Sequence, residues 1–124
     1  MAGSSYYFIR HTYLGGKINT LKTLEVSFTA DASTGAFPVF SMPSDLGGIV
    51  MDTSVVFDGT TPPNALTFTI RDGYGLTIDT ATGITASTTR GRLSQNTPFA
   101  NGGTITLSGN TTNSAKVKVI LYVI

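Results

Sequence analysis

Enzymatic chemistry needs a nucleophile, a base, a ligand set or a phosphate cradle, and few residues of this chain come near any of these. His11 is the sole histidine. Beside Arg10 and Thr12 it could serve as a general base only with an acid to orient it and a nucleophile to deprotonate, and no spacing supplies either. It reads as a surface or edge-strand histidine. Cysteine is absent, which removes thiolate nucleophiles, thiolate metal sites and disulfides together. The seven acids, Glu25, Asp31, Asp45, Asp52, Asp58, Asp72 and Asp79, stand singly and mostly in turn-like sequence, with no EF-hand spacing. One or two loop aspartates with backbone carbonyls could hold calcium, but turn capping accounts for them without an ion. The LGG and GGT glycine pairs precede strands and lack the context of a phosphate loop. A protein with no catalytic residue, no cofactor and no metal is expected.

Binding signals are also sparse. Eight basic residues against seven acids give a net charge of +1, and their scatter from Arg10 to Lys118 forms no stripe for nucleic acid. Arg90 and Arg92 fall on one side of an extended strand, where they are either solvated or face an acidic neighbour on another subunit. Tryptophan is absent. Tyr6, Tyr7, Tyr13 and Tyr122 lie in or near strands, so Tyr74, in the DGYG turn, is the obvious loop aromatic for stacking a sugar. No stretch approaches the roughly 18 to 20 apolar residues of a membrane span. The leading MAGSSYYFIRHTYLGGK lacks the basic and continuous apolar regions of an export signal, so cytoplasmic synthesis without membrane contact is expected.

The elements that must position these residues are strands. The 124 residues suit one domain, and charged residues make up only 12%, about half the usual share. Helical periodicity is nearly missing, whereas alternation recurs. LEVSFTA turns Leu24, Val26 and Phe28 to one face, and GGIVMDTSVVF suits a long strand with a bulge. LTFTI buries Leu66, Phe68 and Ile70, LTID turns Leu76 and Ile78 inward, a brief strand spans Arg90 to Leu93, and GGTITLSG buries Ile105 and Leu107. Residues 103–124 read as a β-hairpin with a loop of about six residues. Turn signals fall at Gly15-Gly16, Asp31 to Gly35, Pro43 to Asp45, Asp58 to Pro63, Asp79 to Gly83 and Pro98, the two Asp-x-x-Thr-Gly stretches sharing turn chemistry. The fold expected is all-β, a single-domain antiparallel β-sandwich of jelly-roll type, with residues 1–16 an N-terminal arm or edge strand and 17–124 the sandwich.

The sharper signal is apolar surface in excess of one core. In KVKVILYVI, Val117, Val119, Leu121 and Val123 form a core face, but the opposite face passes from Lys116 and Lys118 to Ile120, Tyr122 and Ile124. Left in water, these three would each forgo roughly 1.5 to 3 kcal/mol of burial. Either the segment Tyr6-Tyr7-Phe8-Ile9, apolar on both sides, or a neighbouring subunit is expected to cover them. Assembly is favoured over a monomeric sandwich.

The stretch VVFDGTTPPNALTFTIRDGYGLTIDTATGITAS, followed by GGTITLSGNTTNSAKVKVILYVI, resembles small virion proteins of tailed bacteriophages: β-sandwich or jelly-roll decoration (cement) proteins and related head or tail accessory proteins. The resemblance rests on an FDG turn (Phe57, Asp58, Gly59), a DGxG loop (Asp72, Gly73, Gly75) and a glycine-led strand-turn-strand at the end of the chain. It implies a non-enzymatic role on the capsid surface of a virion, as a trimer or dimer fastening the major capsid protein or other virion subunits. Tyr6, Tyr7, Phe8 and Ile9 would form a docking arm, and Ile120, Tyr122 and Ile124 a subunit contact. A head-tail, tail or fibre-type protein, or a receptor- or carbohydrate-binding sandwich, is the alternative.

Overall fold

The computed structural model describes residues 3–13, 20–57, 60–84, 88–91 and 97–124. They form ten strands and no helix: β1 (Ser4–Tyr13), β2 (Thr20–Thr29), β3 (Phe40–Met42), β4 (Gly48–Phe57), β5 (Leu66–Arg71), β6 (Thr77–Ile84), β7 (Thr88–Gly91), β8 (Thr97–Phe99), β9 (Gly103–Ser108) and β10 (Lys116–Val123). Thr, Val, Ile and aromatic residues at alternating positions favour this state, because branched side chains suit a pleated, half-buried surface.

The strands make two antiparallel sheets. One runs β1-β2-β10-β4-β7, with β8 also on β4, and the other runs β3-β9-β5-β6. The pairs nest: β5 with β6, β4 with β7, β3 with β9, β2 with β10. This is a jelly roll, a long hairpin folded over so that its successive pairs divide between two facing sheets. Its core is the alternate residues of both: Leu24, Val26 and Phe28 from β2, Val117, Val119, Leu121 and Val123 from β10, and Leu66, Phe68, Ile70, Ile105 and Leu107 opposite.

That nesting corrects the expected hairpin over residues 103–124. β9 pairs with β3 and β5, whereas β10 lies between β2 and β4 in the other sheet. Both strands are apolar on one face, and stacking those faces across the roughly 10 Å between sheets buries each against the opposite sheet. The connection turns at Gly109 (φ 87°) and Ser114 (φ 57°).

The two Asp-x-x-Thr-Gly stretches also part company. Asp31 caps a turn, its Oδ1 accepting from the Ser33 and Thr34 amides at 2.7 and 3.1 Å, with Gly35 at φ 76°. Asp79 to Gly83 lies inside β6, where Asp79 is buried and faces the core. The register shift between Ile70 and Arg71 explains this: it places Asp79 opposite the inward Ile70, and leaves Ile78 buried beside it. Leu76, expected inward, is instead exposed, since its amide closes the preceding turn onto Asp72 Oδ1 at 3.0 Å.

Pro98 is a strand residue rather than a turn, opposite Ile49 on the short β8, where a missing N–H is tolerated. The brief strand expected at Arg90 to Leu93 is β7, ending at Gly91; Arg92 and Leu93 lie outside the described residues, as do Asp58 and Gly59 of the FDG turn.

Candidate functional site

The outward face of the larger sheet gathers most of the residues singled out from the sequence. Its register sets them in rows across the strands. Tyr6 of β1, Ser27 of β2, Lys118 of β10 and Val56 of β4 form one row. Phe8, Glu25, Ile120 and Ser54 form the next, and Arg10, Thr23, Tyr122 and Asp52 the third. Beyond them Ile124 and Ile49 exchange backbone hydrogen bonds at 2.8 and 2.9 Å. The inward neighbours on β2 and β10 are core, so the outward set follows from the period of two.

The face is amphipathic in a patterned way. Glu25, the only glutamate, accepts from Arg10 Nε at 3.0 Å and lies 3.7 Å from Lys118 Nζ. Arg10 also sits 4.6 Å over the Phe8 ring, a cation–π contact that ties these two outward side chains together. Exposed ion pairs add little stability, so the cluster acts chiefly to order the surface. Around it lie exposed Tyr6, Phe8, Ile49 and Met51 and half-buried Ile120, Tyr122 and Ile124. Above it a shallow trough of about 350 Å³ is lined by Tyr6, Ser27, Thr29, Val56, Lys116 and Lys118 among others.

Alternation divides the four residues expected as a docking arm. Tyr6 and Phe8 face outward, whereas Tyr7 and Ile9 share the inner parity of Val26 and Leu24. The Tyr7 ring meets Phe40 edge-on, centroids 5.2 Å apart, and Ile9 packs against the core. The segment does not lie over Ile120, Tyr122 and Ile124. It extends the same sheet as its edge strand, one strand removed from β10. Of the two covers considered for those three residues, the chain's own first segment is therefore not one.

The remaining candidates are dispersed. His11 is exposed on β1 opposite Lys22, and Arg90 occupies the register position opposite Ser54. Among the described residues no group of three or more acids and histidines is placed to hold a metal. Tyr74 tops a tightly built turn, 72% exposed. Asp72 Oδ1 accepts from the Tyr74 and Leu76 amides at 2.9 and 3.0 Å, the Gly75 amide donates to the Asp72 carbonyl at 3.0 Å, and the Gly73 amide donates to Ala100 at 3.0 Å.

One feature that the sequence did not disclose is a polar bridge through the core. Thr53 Oγ1 of β4 donates to Asp79 Oδ2 of β6 at 2.7 Å, linking the two sheets. Asp79 Oδ1 and Ser54 Oγ, both buried, have no hydrogen-bond partner. A turn-like Asp-x-x-Thr-Gly pattern hid Asp79; the register of β6 on β5 turns it inward, and the facing of the two sheets brings it to Thr53.

No protein-family model and no curated protein matches this chain by sequence. Among solved structures, it is similar to a family 11 carbohydrate-binding module of a cellulosomal cellulase of Clostridium thermocellum, at 13% identity and a TM-score of 0.33, the match covering 100% of this chain and 89% of that one.

Proposed function

We propose that this chain is a non-enzymatic structural protein of a virion, a decoration (cement) protein that binds the major capsid protein or other virion subunits at the capsid surface. The observation that carries this reading is the outward face of the larger sheet. Ile120, Tyr122 and Ile124 remain on it, and Tyr6, Phe8, Ile49 and Met51 share it, with Ser27, Glu25 and Thr23 of β2 lying between β10 and the edge at β1. Apolar residues gathered around an ordered charged cluster, on a face ending in an open strand edge, are the make-up of a surface completed by another protein. The virion assignment comes from the sequence resemblance at the FDG and DGxG turns and the closing strands.

Cosedimentation with virion shells lacking the protein tests it. Wild type should bind and stabilise the shells against heat or chelation. Tyr122→Ser should weaken binding about tenfold or more while the domain stays folded, as loss of a buried aromatic anchor does. Absence of shell binding by folded wild-type protein would remove the reading.

A second reading, a receptor- or carbohydrate-binding module, is favoured by the Tyr74 turn, whose backbone Asp72 and Ala100 fix beneath an exposed aromatic. Glycan binding that vanishes in Tyr74→Ala would establish it in place of the first.

A further inference from the structure

We infer that β1 is a pairing edge for a second copy of this chain, joined antiparallel about a two-fold axis at Phe8. This rests on the reading of that surface as one of assembly. The other sheet edges among the described residues carry features that discourage strand addition. β3 and β8 have 3 residues each and β7 has 4, and β6 shifts register twice against β5. β1 has no such feature: it runs 10 residues without proline, lysine or acid and pairs with β2 without a register shift. A long, evenly paired edge, apolar from Tyr6 to Ile9, is a template for another strand.

The backbone groups that β1 offers follow from the hydrogen bonds on the far side of β2. The Ala30 amide donates to the Ala115 carbonyl at 2.8 Å, and that pair extends the register in which Thr29 faces Lys116 and Phe28 faces Val117. Antiparallel pairs alternate between bonded and non-bonded, so Phe28, Val26 and Leu24 turn their amides and carbonyls to β10. Ser27, Glu25 and Thr23 then turn theirs to β1, where they meet Tyr6, Phe8 and Arg10. Ser5, Tyr7, Ile9 and His11 are left presenting N–H and C=O at the open edge.

A second copy satisfies that edge with itself. A two-fold axis at Phe8 sets Phe8 against Phe8, Tyr6 against Arg10, Tyr7 against Ile9 and Ser5 against His11, keeping outward residues outward. The pairs are aromatic with aromatic, aromatic with cation, apolar with apolar and hydroxyl with imidazole, and the strand's basic side chains never oppose one another. Centring on Arg10 would oppose the two guanidiniums, and centring on Ile9 would separate the Phe8 rings. This self-complementarity is what a second copy requires and an unrelated strand would not.

The chain has no cysteine, so a single introduced thiol reports the axis. Phe8 pairs would be of the non-bonded type, with Cα atoms about 4.5 Å apart, within disulfide range. Light scattering at micromolar concentration should give a dimer. Phe8→Cys should cross-link under mild oxidation, whereas Tyr6→Cys should do so only when mixed with Arg10→Cys. Phe8→Lys should raise the dimer dissociation constant on the order of tenfold or more through like-charge apposition, with the circular dichroism spectrum of the folded chain unchanged and melting matching wild type at concentrations low enough that both are monomeric. A dimer in which Phe8→Cys fails to cross-link, or Tyr6→Cys alone cross-links as fast, overturns the inference and leaves the assembly reading standing. A strict monomer that still binds virion shells does the same, and a monomer that binds nothing overturns both.

Discussion

Replacing Thr53 by valine should destabilise the fold far more than its near-identical shape suggests. Thr53 is fully buried and its hydroxyl is the hydrogen-bond donor to Asp79, itself only 3% exposed. Asp79 Oδ1 already lacks a partner, so Thr53→Val leaves the whole carboxyl group without one in the core. Hydrogen bonds to such groups contribute about 1.5 to 3 kcal/mol, and orphaning a buried acceptor costs its desolvation as well. Taking about 2.5 kcal/mol, and roughly 4 °C per kcal/mol for a chain of this length, the melting temperature should fall by about 10 °C. The same physics predicts a rescue. Removing both polar partners restores an apolar contact between the sheets, so adding Asp79→Val to the Thr53→Val background should regain at least about 1 kcal/mol. Urea unfolding at submicromolar protein, with the free energy extrapolated to water, measures both steps. The reasoning fails if Thr53→Val lies within about 0.5 kcal/mol of wild type, or if Asp79→Val in that background costs further stability.

Four other outcomes are expected. Leu121→Ala, at a fully buried site in the central strand β10, should cost about 2 to 5 kcal/mol in urea unfolding, whereas Tyr122→Ser on the outward face should cost under about 1.5 kcal/mol and act mainly on assembly. Gly103→Ala should abolish folding or soluble expression, because at φ 120° a Cβ would collide with the Arg71 carbonyl; Gly75→Ala, at φ 83° with open space around it, should cost only about 1 to 2 kcal/mol by thermal melting. The Ser33 amide, with that of Thr34, holds the Asp31 carboxyl below its ordinary value of 3.8. Its contribution is therefore complete above that value and is lost as pH falls through the lower folded one, so wild-type stability should fall more steeply than that of Asp31→Asn below about pH 4, measured by urea midpoints. Truncating residues 120–124 should prevent folding, read as loss of the cooperative transition, since it removes Leu121 and Val123 from the core.

How much of the site was legible depended on which strands a residue's neighbours belong to. Alternation in LEVSFTA and KVKVILYVI placed Leu24, Val26, Phe28 and the β10 valines in the core and marked Ile120, Tyr122 and Ile124 as outward, because side-chain direction is a local property of an extended chain. Alternation also splits Tyr6 and Phe8 from Tyr7 and Ile9, but naming the inward pair needed the partner strand, since both parities of that segment are apolar. The Arg10–Glu25–Lys118 cluster joins residues 15 and 93 positions apart in sequence (25 − 10 and 118 − 25), and no local pattern signals it. β3 and β8 are too short to show a period.

The sequence by itself determined an all-β domain, the location of the core faces, and the presence of more apolar surface than one core consumes, since each of these is set by residue type and a period of two. Only the tertiary structure decided that β9 and β10 belong to opposite sheets, that Asp79 lies in the core beside Thr53, and that the first strand stands at an open edge. Those three facts are matters of which strand lies next to which. Pairing between distant strands is chosen by how all apolar faces can be buried at once, a property of the whole chain that no single segment encodes.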